Sequence, residues 1–396
     1  MAYQEVTRIG YGQRLGNSLG GILFGLALFV GATVLLWWNE GNAKKTADML
    51  KDFAKECVDV ADVSTVDPSL NGKAIHAVAE AQTDEILTDG QYGIQVNAVR
   101  LERNVEYYQW VEETDTESQD KVGGSQETTT SYSYRKEWVG SPVNSNEFKD
   151  PAYQSANSVR RTVDNAEESA GKVRFGGYVL PRILVDAIPA ETPVQLSPSL
   201  GDGIEVFVNG NILYYGDPQD PQVGDVRVTF MQADGGTASI LAKVNGDTFE
   251  PYLHKSGKKL CEISMGTHSL ENMVEDAEQA NKIMLWLLRI LGVILVIAAL
   301  RMMFSVLVTI LMVLPPLAKV GQLGVNLVTG VVGFIWALLV ILVAWVMYRP
   351  VLAIVLAVVV CLLVALLISK AKAVPEAAPA AGVPAAAPEA PKTDAE

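Results

Sequence analysis

The chain has 396 residues, of which 49% are apolar and only 19% are charged, and its 45 acidic and 31 basic residues give a net charge of −14. This composition places part of the chain in lipid, and its acidity argues strongly against a protein that binds nucleic-acid phosphates. Three cysteines without a CxxC motif argue against a disulfide scaffold and against a structural zinc site.

The first apolar run covers residues 19–38 and contains no charged residue. A helix of this length measures about 30 Å, which matches the hydrocarbon core of a bilayer. A cleaved signal peptide is the alternative, but its apolar region usually has only about 7–15 residues. The run ends at Trp37 and Trp38, and paired tryptophans are typical of a membrane interface. We therefore predict a transmembrane helix over 19–38, preceded by a cytoplasmic N-terminus over 1–18.

The polar region over 39–282 contains 40 of the 45 acidic residues. It is long enough for one large domain or two small ones. Its acidity gives a well-solvated surface or, alternatively, attracts divalent cations or basic partners. We predict that this region is an extracytoplasmic domain built mainly from antiparallel strands.

Glycine turns divide the second half of this domain into short strands. Asn209-Gly210 is the sequence signal of a two-residue type I′ hairpin and the strongest local pattern in the chain. Asp234-Gly235-Gly236 and Asn245-Gly246 mark two further turns. We predict a continuous antiparallel meander with strands over 204–208, 212–215, 226–231, 237–244 and 248–252.

Alternating apolar residues in the first half of the domain predict further strands. Residues 92–96 alternate, and so does the run that ends at Glu113. This run is predicted to pair with a strand over 128–138 around an acidic loop at 114–125. Helical patterns occur over 42–56, 152–170 and 269–282.

Three apolar runs follow the domain, over 283–314, 325–347 and 351–368. Arg289 and Arg301 interrupt the first of them, which is therefore one long helix or a broken one. These arginines lie about 18 Å apart along a helix, so each could reach an opposite interface; the alternative is that they line a polar pathway. The Ala/Pro-rich tail over 369–396 is predicted to be disordered and cytoplasmic.

Four spans place both termini on one side of the membrane, and the basic residues near the termini favour the cytoplasm. The predicted fold class is therefore an α+β membrane protein with four transmembrane helices. Its large β-rich, antiparallel extracytoplasmic domain lies between the first and second helices.

Residues that carry catalysis or bind metals are sparse. No P-loop sequence occurs, and the three histidines belong to no catalytic or metal-binding motif: His76, His254 and His268. Acidic turns at 217–221 and 224–225 offer calcium ligands, but such turns are more often only turns. Cys57 and Cys261 form a disulfide or remain free thiols, and the sequence leaves both open. We expect no catalytic, cofactor-binding or metal-binding residues and no cofactor.

Glycines recur at four-residue spacing near the first span and occur again in the third. Small residues at this spacing let helices approach closely, although glycine is also common in spans without this role. We predict helix association, within or between chains, through Gly16, Gly20, Gly21, Gly25, Gly330 and Gly333.

A dense set of aromatic and charged residues resembles the signature of the transmembrane protein 43 family, also called LUMA. The residues that carry this resemblance are Tyr108, Gln109, Trp110, Glu112, Tyr132, Tyr134, Trp138, Gly224, Asp225, Arg227, Tyr348, Arg349 and Pro350. The resemblance extends from about Leu15 to Ile368. It departs in the Ala/Pro-rich tail and around 159–199.

The resemblance implies four spans, cytoplasmic termini, a lumenal or extracytoplasmic domain, self-association and a scaffold role. In animals it implies the endoplasmic reticulum and inner nuclear membrane, with emerin and lamins as partners. The acidic domain and the Ala/Pro tail favour a bacterial relative, which would place the protein in the cell inner membrane with a periplasmic domain.

Three functions from different classes follow. The first is a non-enzymatic, self-associating membrane scaffold whose partners are membrane lipid, further copies of itself and other membrane proteins, but no nucleic acid. The second is a transporter or channel component that uses Arg289 and Arg301, and the third is an enzyme with an extracytoplasmic active site. Two basic residues without an acidic one in the spans argue against cation transport.

Overall fold

The structure, a computed structural model, describes residues 3–201, 203–311 and 315–349, together with positions 354 and 358. The chain divides into two compact units, Met1–Ala344 and Trp345–Glu396. The predicted fourth span over 351–368, apart from two positions, and the tail over 369–396 lie outside the described residues.

The described residues form the helices α1 (Tyr11–Glu56), α2 (Arg182–Val185), α3 (Leu270–Leu311) and α4 (Pro315–Tyr348). Three segments of this part of the chain are long and apolar enough to cross a membrane: Tyr11–Glu56, Leu270–Leu311 and Val320–Tyr348. The predicted span over 19–38 and the predicted helix over 42–56 are one continuous helix. The predicted helix over 269–282 likewise continues without a break into the second apolar run.

Nineteen strands occur in the described residues: β1 (Tyr3–Ile9), β2 (Val58–Val60), β3 (Ala74–Gln82), β4 (Leu87–Asp89), β5 (Ile94–Val96), β6 (Arg100–Asp120), β7 (Gln126–Val139), β8 (Ala166–Ser169), β9 (Arg174–Phe175), β10 (Tyr178–Val179), β11 (Thr192–Pro193), β12 (Val206–Asn209), β13 (Ile212–Tyr215), β14 (Val226–Ala233), β15 (Gly236–Asn245), β16 (Thr248–Glu250), β17 (Tyr252–Leu253), β18 (Lys259–Leu260) and β19 (Glu262–Met265). An eight-stranded sheet has the order β1-β7-β6-β14-β13-β12, with β8 paired to β6 and β11 paired to β14. A seven-stranded sheet has the order β19-β15-β16-β10-β9-β3-β2, with an additional pairing of β15 and β3.

The core of the domain lies between apolar side chains from both sheets, among them Val228 and Phe230 of β14 and Ile240 of β15, which are completely buried. A second cluster joins the domain to the helices. There, Phe53 and Leu50 near the end of α1 pack with Leu241 of β15. The domain-proximal end of the helical pair is therefore fixed to the sheets by apolar contacts.

The predicted pairing between the run ending at Glu113 and the strand over 128–138 is confirmed, but the strands are longer than predicted. β6 and β7 stay paired out to Asp120 and Gln126, so the connecting loop is only 121–125 rather than 114–125. Residues 112–120 and 126–134 form a projecting hairpin that we call the arm. A run of threonines and carboxylates favours this extended ladder because β-branched side chains and cross-strand hydroxyl pairs stabilise strands.

The arm pairs with the N-terminal residues of the chain. β1 runs antiparallel to β7, from Tyr3 opposite Tyr132 to Ile9 opposite Gln126. At the tip of the arm, the Arg14 guanidinium lies 2.8 Å from the Asp120 carboxylate. Both β6 and α1 are about 70 Å long, which lets the arm reach the start of the helix.

In this pairing the N-terminal strand lies against the domain, whereas the sequence predicts that the two lie on opposite sides of a membrane; their sidedness stays a prediction. The arm is exposed from Glu113 to Asp120 and is rich in carboxylates and hydroxyls. Such an arm cannot pass through hydrocarbon, because its charged groups and its unpaired backbone edge would lose their hydrogen bonds to water. Where this pairing forms, both strands therefore lie on one aqueous side.

The predicted hairpin between 226–231 and 237–244 is wrong. β14 pairs with β6 and β13, whereas β15 pairs with β3, β16 and β19 in the other sheet. The chain crosses from one sheet to the other at 234–235, so the predicted meander is divided between two sheets. The turn at Asn245-Gly246 is confirmed, since Asn245 pairs with Thr248.

The hairpin predicted around Asn209 exists with a different turn. Asn209 pairs with Ile212, so the turn residues are Gly210 and Asn211. Gly210 has a φ of 61°, and neither neighbouring asparagine has a positive φ. One glycine with positive φ at the first turn position is typical of type II′ rather than the predicted type I′.

The predicted helix over 152–170 is also wrong. This segment runs along β6 and supplies hydrogen-bond partners to it. The Asn157 carboxamide accepts from the Trp110 backbone N–H and donates to the Trp110 carbonyl, and Asn165 accepts from the Val105 backbone N–H. Long-range bonds of asparagine side chains to a strand edge compete with the local helix.

Candidate functional sites in the helices and the domain

The helical pair contains a buried ion pair. Arg289 of α3 donates from Nε and one terminal nitrogen to the two carboxylate oxygens of Glu40 in α1, at 2.6 and 2.9 Å. The Glu40 side chain is 1% exposed and that of Arg289 is 16% exposed. This two-point geometry is the strongest form of a carboxylate–guanidinium contact.

Further polar contacts fix the helices in register next to this pair. Asn39 donates its side-chain amide to the Leu285 carbonyl at 3.0 Å, and Asn281 donates to the Ala43 carbonyl at 3.0 Å. The Arg289 guanidinium also lies over the Trp286 ring, 4.8 Å from its centroid. Each polar group that the helices bury at this level therefore has a partner on the opposite helix or beside it.

The ion pair corrects two expectations about Arg289. Its guanidinium binds a carboxylate of the neighbouring helix instead of extending to a membrane interface. The second expectation was that no acidic residue lies in the spans. Glu40 lies two positions beyond the predicted end of the first span at Trp38, so it was not counted in that span. Arg301 remains without such a partner among the described residues.

The predicted association glycines divide into three groups by the space around them. A Cβ atom on Gly25 would lie 2.9 Å from the Ala299 carbonyl, and one on Gly333 would lie 2.9 Å from Ile297. These two glycines let α3 approach α1 and α4 within one chain. Gly21 makes a looser contact, 3.8 Å from the Met302 carbonyl. The remaining three have open space at the Cβ position: Gly16, Gly20 and Gly330.

Most of the domain residues singled out in the sequence meet at the base of the arm, where they form an aromatic cluster. Tyr108 and Trp138 are cross-strand neighbours with ring centroids 5.2 Å apart. Arg227 lies over the Trp138 ring at 4.5 Å and also binds Glu106 with two hydrogen bonds. The cluster therefore links the arm to β14 in the centre of the sheet.

Further along the same face of β6 and β7, the segment that follows the arm covers the aromatic side chains. Tyr134 stacks on Tyr153 with centroids 4.0 Å apart, and Trp110 meets Tyr153 edge-on at 4.9 Å. The Tyr134 hydroxyl donates to the Glu112 carboxylate at 2.6 Å. Burial and this bond raise the pKa of Tyr134 to about 12, so its hydroxyl stays protonated as a donor.

Three more of these residues are held by hydrogen bonds at or near the cluster. Gln109 is almost completely buried, and its amide donates to the Ser158 carbonyl while its oxygen accepts from the Val143 N–H. Gly224 has a φ of 102°, and a Cβ there would lie 2.6 Å from the Ser158 hydroxyl. Asp225 binds Arg160 at 2.6 Å. Its buried carboxylate is thus engaged by the protein's own donors.

Comparison with known proteins decides the family. The family model for transmembrane protein 43 matches residues 107–350. Transmembrane protein 43 of Rattus norvegicus is 30% identical over 355 residues, which is 87% of this chain and 88% of the relative. The chain belongs to the transmembrane protein 43 family. It is therefore a membrane protein, and the resemblance in its motifs is confirmed.

Other relatives in the transmembrane protein 43 family show similar coverage. The human protein is 29% identical over 87% of this chain and 88% of its own, and the Drosophila melanogaster homolog is 27% identical over 83% and 89%. No solved structure matches the chain. The bacterial origin suggested by the composition stays a prediction.

The family match begins at Tyr107 and therefore includes the aromatic cluster, α3 with both arginines, and α4. Near the end of α4, the Arg349 guanidinium lies over the Trp345 ring at 5.2 Å, and Tyr348 is the last helical residue. Pro350 lies outside the described residues. Tyr132 lies apart from the cluster, on the arm, where its hydroxyl donates to Glu5 of β1 at 3.0 Å.

The histidines of this family member all have hydrogen-bond partners. The two ring nitrogens of His76 lie 2.7 Å from the Asp59 carboxylate and 2.9 Å from the His268 carbonyl. His254 contacts Asp52 at 3.1 Å, and together Lys255 and His254 lower the pKa of Asp52 to about 2. These contacts tie β3 to β2 and to the loop at His268, and they tie the loop at His254 to α1.

Cys57 and Cys261 are free thiols in the structure, so the alternative of a disulfide is not realised there. Burial raises the pKa of Cys57 to about 12 and that of Cys261 to about 11. Both side chains therefore stay protonated and poorly reactive at neutral pH.

We expect the aromatic cluster to stabilise the arm rather than carry chemistry. Trp110→Ala would remove the edge contact with Tyr153 and the contact of Lys136 with the ring face. Because Trp110 is half-buried, we expect a loss of about 2 kcal/mol, below the ~3–5 kcal/mol of a fully buried aromatic residue. Thermal unfolding of the full-length protein in detergent measures this, with Trp110→Phe as the control that keeps most of the stability. Unchanged melting of Trp110→Ala would contradict the expectation.

Proposed function

We propose that this protein is a non-enzymatic membrane scaffold that associates with further copies of itself. Support comes from the way its buried charges are used. Glu40 with Arg289, Asp89 with Arg103 and Asp225 with Arg160 are closed pairs within the described residues. Charges used in this way hold elements together and are not free for proton transfer or ion binding.

The open face of α1 supports the proposal of self-association. Gly12, Gly16 and Gly20 recur every four residues with open space beside them, whereas Gly25 is filled by α3 of the same chain. Large apolar side chains continue this open face along the helix, among them Leu23, which is 74% exposed. A second copy of α1 could pack closely there, because small residues let helix backbones approach.

The test is the mass of the full-length protein in lipid nanodiscs, measured by light scattering. Gly16→Leu with Gly20→Leu adds bulk to the open face, and we expect it to shift the protein from an oligomer toward monomer. Gly324→Leu makes the same change at an open glycine of α4 and serves as the control. A monomeric wild-type protein in lipid would end the proposal of self-association.

The structure changes which variants report on association. Gly25→Leu would push a side chain into the Ala299 carbonyl and so would disturb the helical pair itself. It therefore serves as a folding control and not as an interface variant. An oligomer that survives changes on the α1 face would place the interface in the domain and leave the scaffold proposal standing.

A transporter or channel component is the alternative function, and ion flux in proteoliposomes would favour it.

A further inference from the structure

A cavity with both polar and apolar walls lies at the end of the helical pair that is far from the domain core. It has a volume of 430 Å³ and opens between α1, α3 and the strands β1 and β7. Two helix faces line it. Arg301, Ser305 and Thr309 follow one another at four-residue spacing on α3, opposite Asn17 and Ser18 of α1. These polar side chains interrupt an otherwise apolar pair of helices.

The cavity carries an uncompensated positive charge. Arg14 in its wall is 9% exposed and is neutralised by Asp120. Arg301 forms no hydrogen bond or ion pair with any residue that the structure describes, and no carboxylate lines the cavity. A cation in an apolar helix is costly unless an anion or water stabilises it. Arg301 is exposed in the cavity, so its charge is available to an anion or to water.

Free hydrogen-bond donors surround this charge. The side chains of Asn17 and Gln126 form no hydrogen bonds among the described residues, and both line the cavity with Arg301. The hydroxyls of Ser305 and Thr309 already donate to carbonyls of their own helix. A guanidinium with two nearby amides is suited to the oxygens of a phosphate group.

We propose that this cavity binds the phosphate headgroup of an anionic membrane phospholipid. The neighbouring surface favours a lipid over free phosphate. Leu19 of α1 is 53% exposed, and Phe304 and Leu307 of α3 are 42% and 52% exposed. Acyl chains would cover these side chains while the headgroup occupies the cavity, so one ligand satisfies both the charge and the apolar surface.

Native mass spectrometry of the full-length protein in detergent tests this. We expect one retained dioleoylphosphatidylglycerol, bound at least ~10-fold more tightly than dioleoylphosphatidylcholine, since a charge-assisted contact is worth about one order of magnitude in affinity. Arg301→Gln should lose that preference. Arg8→Gln is the control, because Arg8 is exposed and pairs with Glu127 outside the cavity. This variant should keep the preference for phosphatidylglycerol.

Two further measurements separate the possible results. Inorganic phosphate added in excess should not displace the lipid; displacement would assign the cavity to free phosphate and overturn the lipid proposal. Thr309→Leu fills the cavity without removing charge and should also lower phosphatidylglycerol binding ~10-fold. Equal binding of both lipids by the wild-type protein would overturn the proposal even if the variants do not fold. Undiminished phosphatidylglycerol binding by Arg301→Gln would also overturn the proposal.

Discussion

Glu40→Leu is expected to lower the free energy of unfolding by about 3–5 kcal/mol, because it leaves the Arg289 guanidinium buried without its carboxylate. Glu40→Leu combined with Arg289→Met should recover most of this loss. The double variant replaces a buried ion pair by apolar groups, which is often close to neutral for stability. Unfolding of the full-length protein in mixed micelles, followed by tryptophan fluorescence, measures both.

The control for this prediction lies about two helical turns further along α1. Asp48→Ala removes the partner of Lys44 in an ion pair whose two side chains are 44% and 27% exposed. Solvent screens such a pair, so we expect a change below about 1 kcal/mol. A single Glu40 variant as stable as this control would show that the helices do not depend on the buried pair.

Thr7→Cys with Thr128→Cys is expected to form a disulfide in nearly all molecules, because these residues are directly opposed in the pairing of β1 with β7. The variant is made in a background in which the three native cysteines are serine. Mild oxidation in intact membranes followed by mass spectrometry of linked peptides gives the yield. The result would place the N-terminal strand and the domain on one side of the membrane.

The matched control pairs Thr7→Cys with Ser118→Cys. Ser118 is the partner of Thr128 on β6, so it lies one strand further from β1, beyond the reach of a disulfide. Absence of the first cross-link would restore the arrangement predicted from the four spans. In that case, an impermeant thiol reagent would label cysteines at Thr7 and Ser125 from opposite sides.

The apolar helices were predictable because the signal is local. Apolar runs of span length mark α1, α3 and α4, and the helix over 42–56 continues the first run without a break. The Asn209 hairpin was predictable for the same reason, since a turn signal lies directly between two short strands. Its turn type was not, because one residue of register decides which positions need positive φ.

Contacts between distant parts of the chain could not be read from the sequence. β14 and β15 both alternate as a hairpin would, and only their partners β6 and β3, more than a hundred residues earlier, separate them into two sheets. In the sequence, Glu40 is only a polar residue that follows the first span. Its partner Arg289 lies 249 residues later, so only the structure shows the ion pair. The four-residue spacing of Arg301, Ser305 and Thr309 was visible, but the matching face of α1 was not.

The pairing of β1 also has a consequence for the order in which the chain is made. The Gln4 side chain donates to Ser131, which is synthesised 127 residues later. At about 5–20 residues per second, the first strand waits roughly 6–25 s for its partner to leave the ribosome. During that interval α1 is complete and can enter the membrane. For the two strands to pair, the N-terminal segment must therefore lie on the side of the membrane on which the arm emerges.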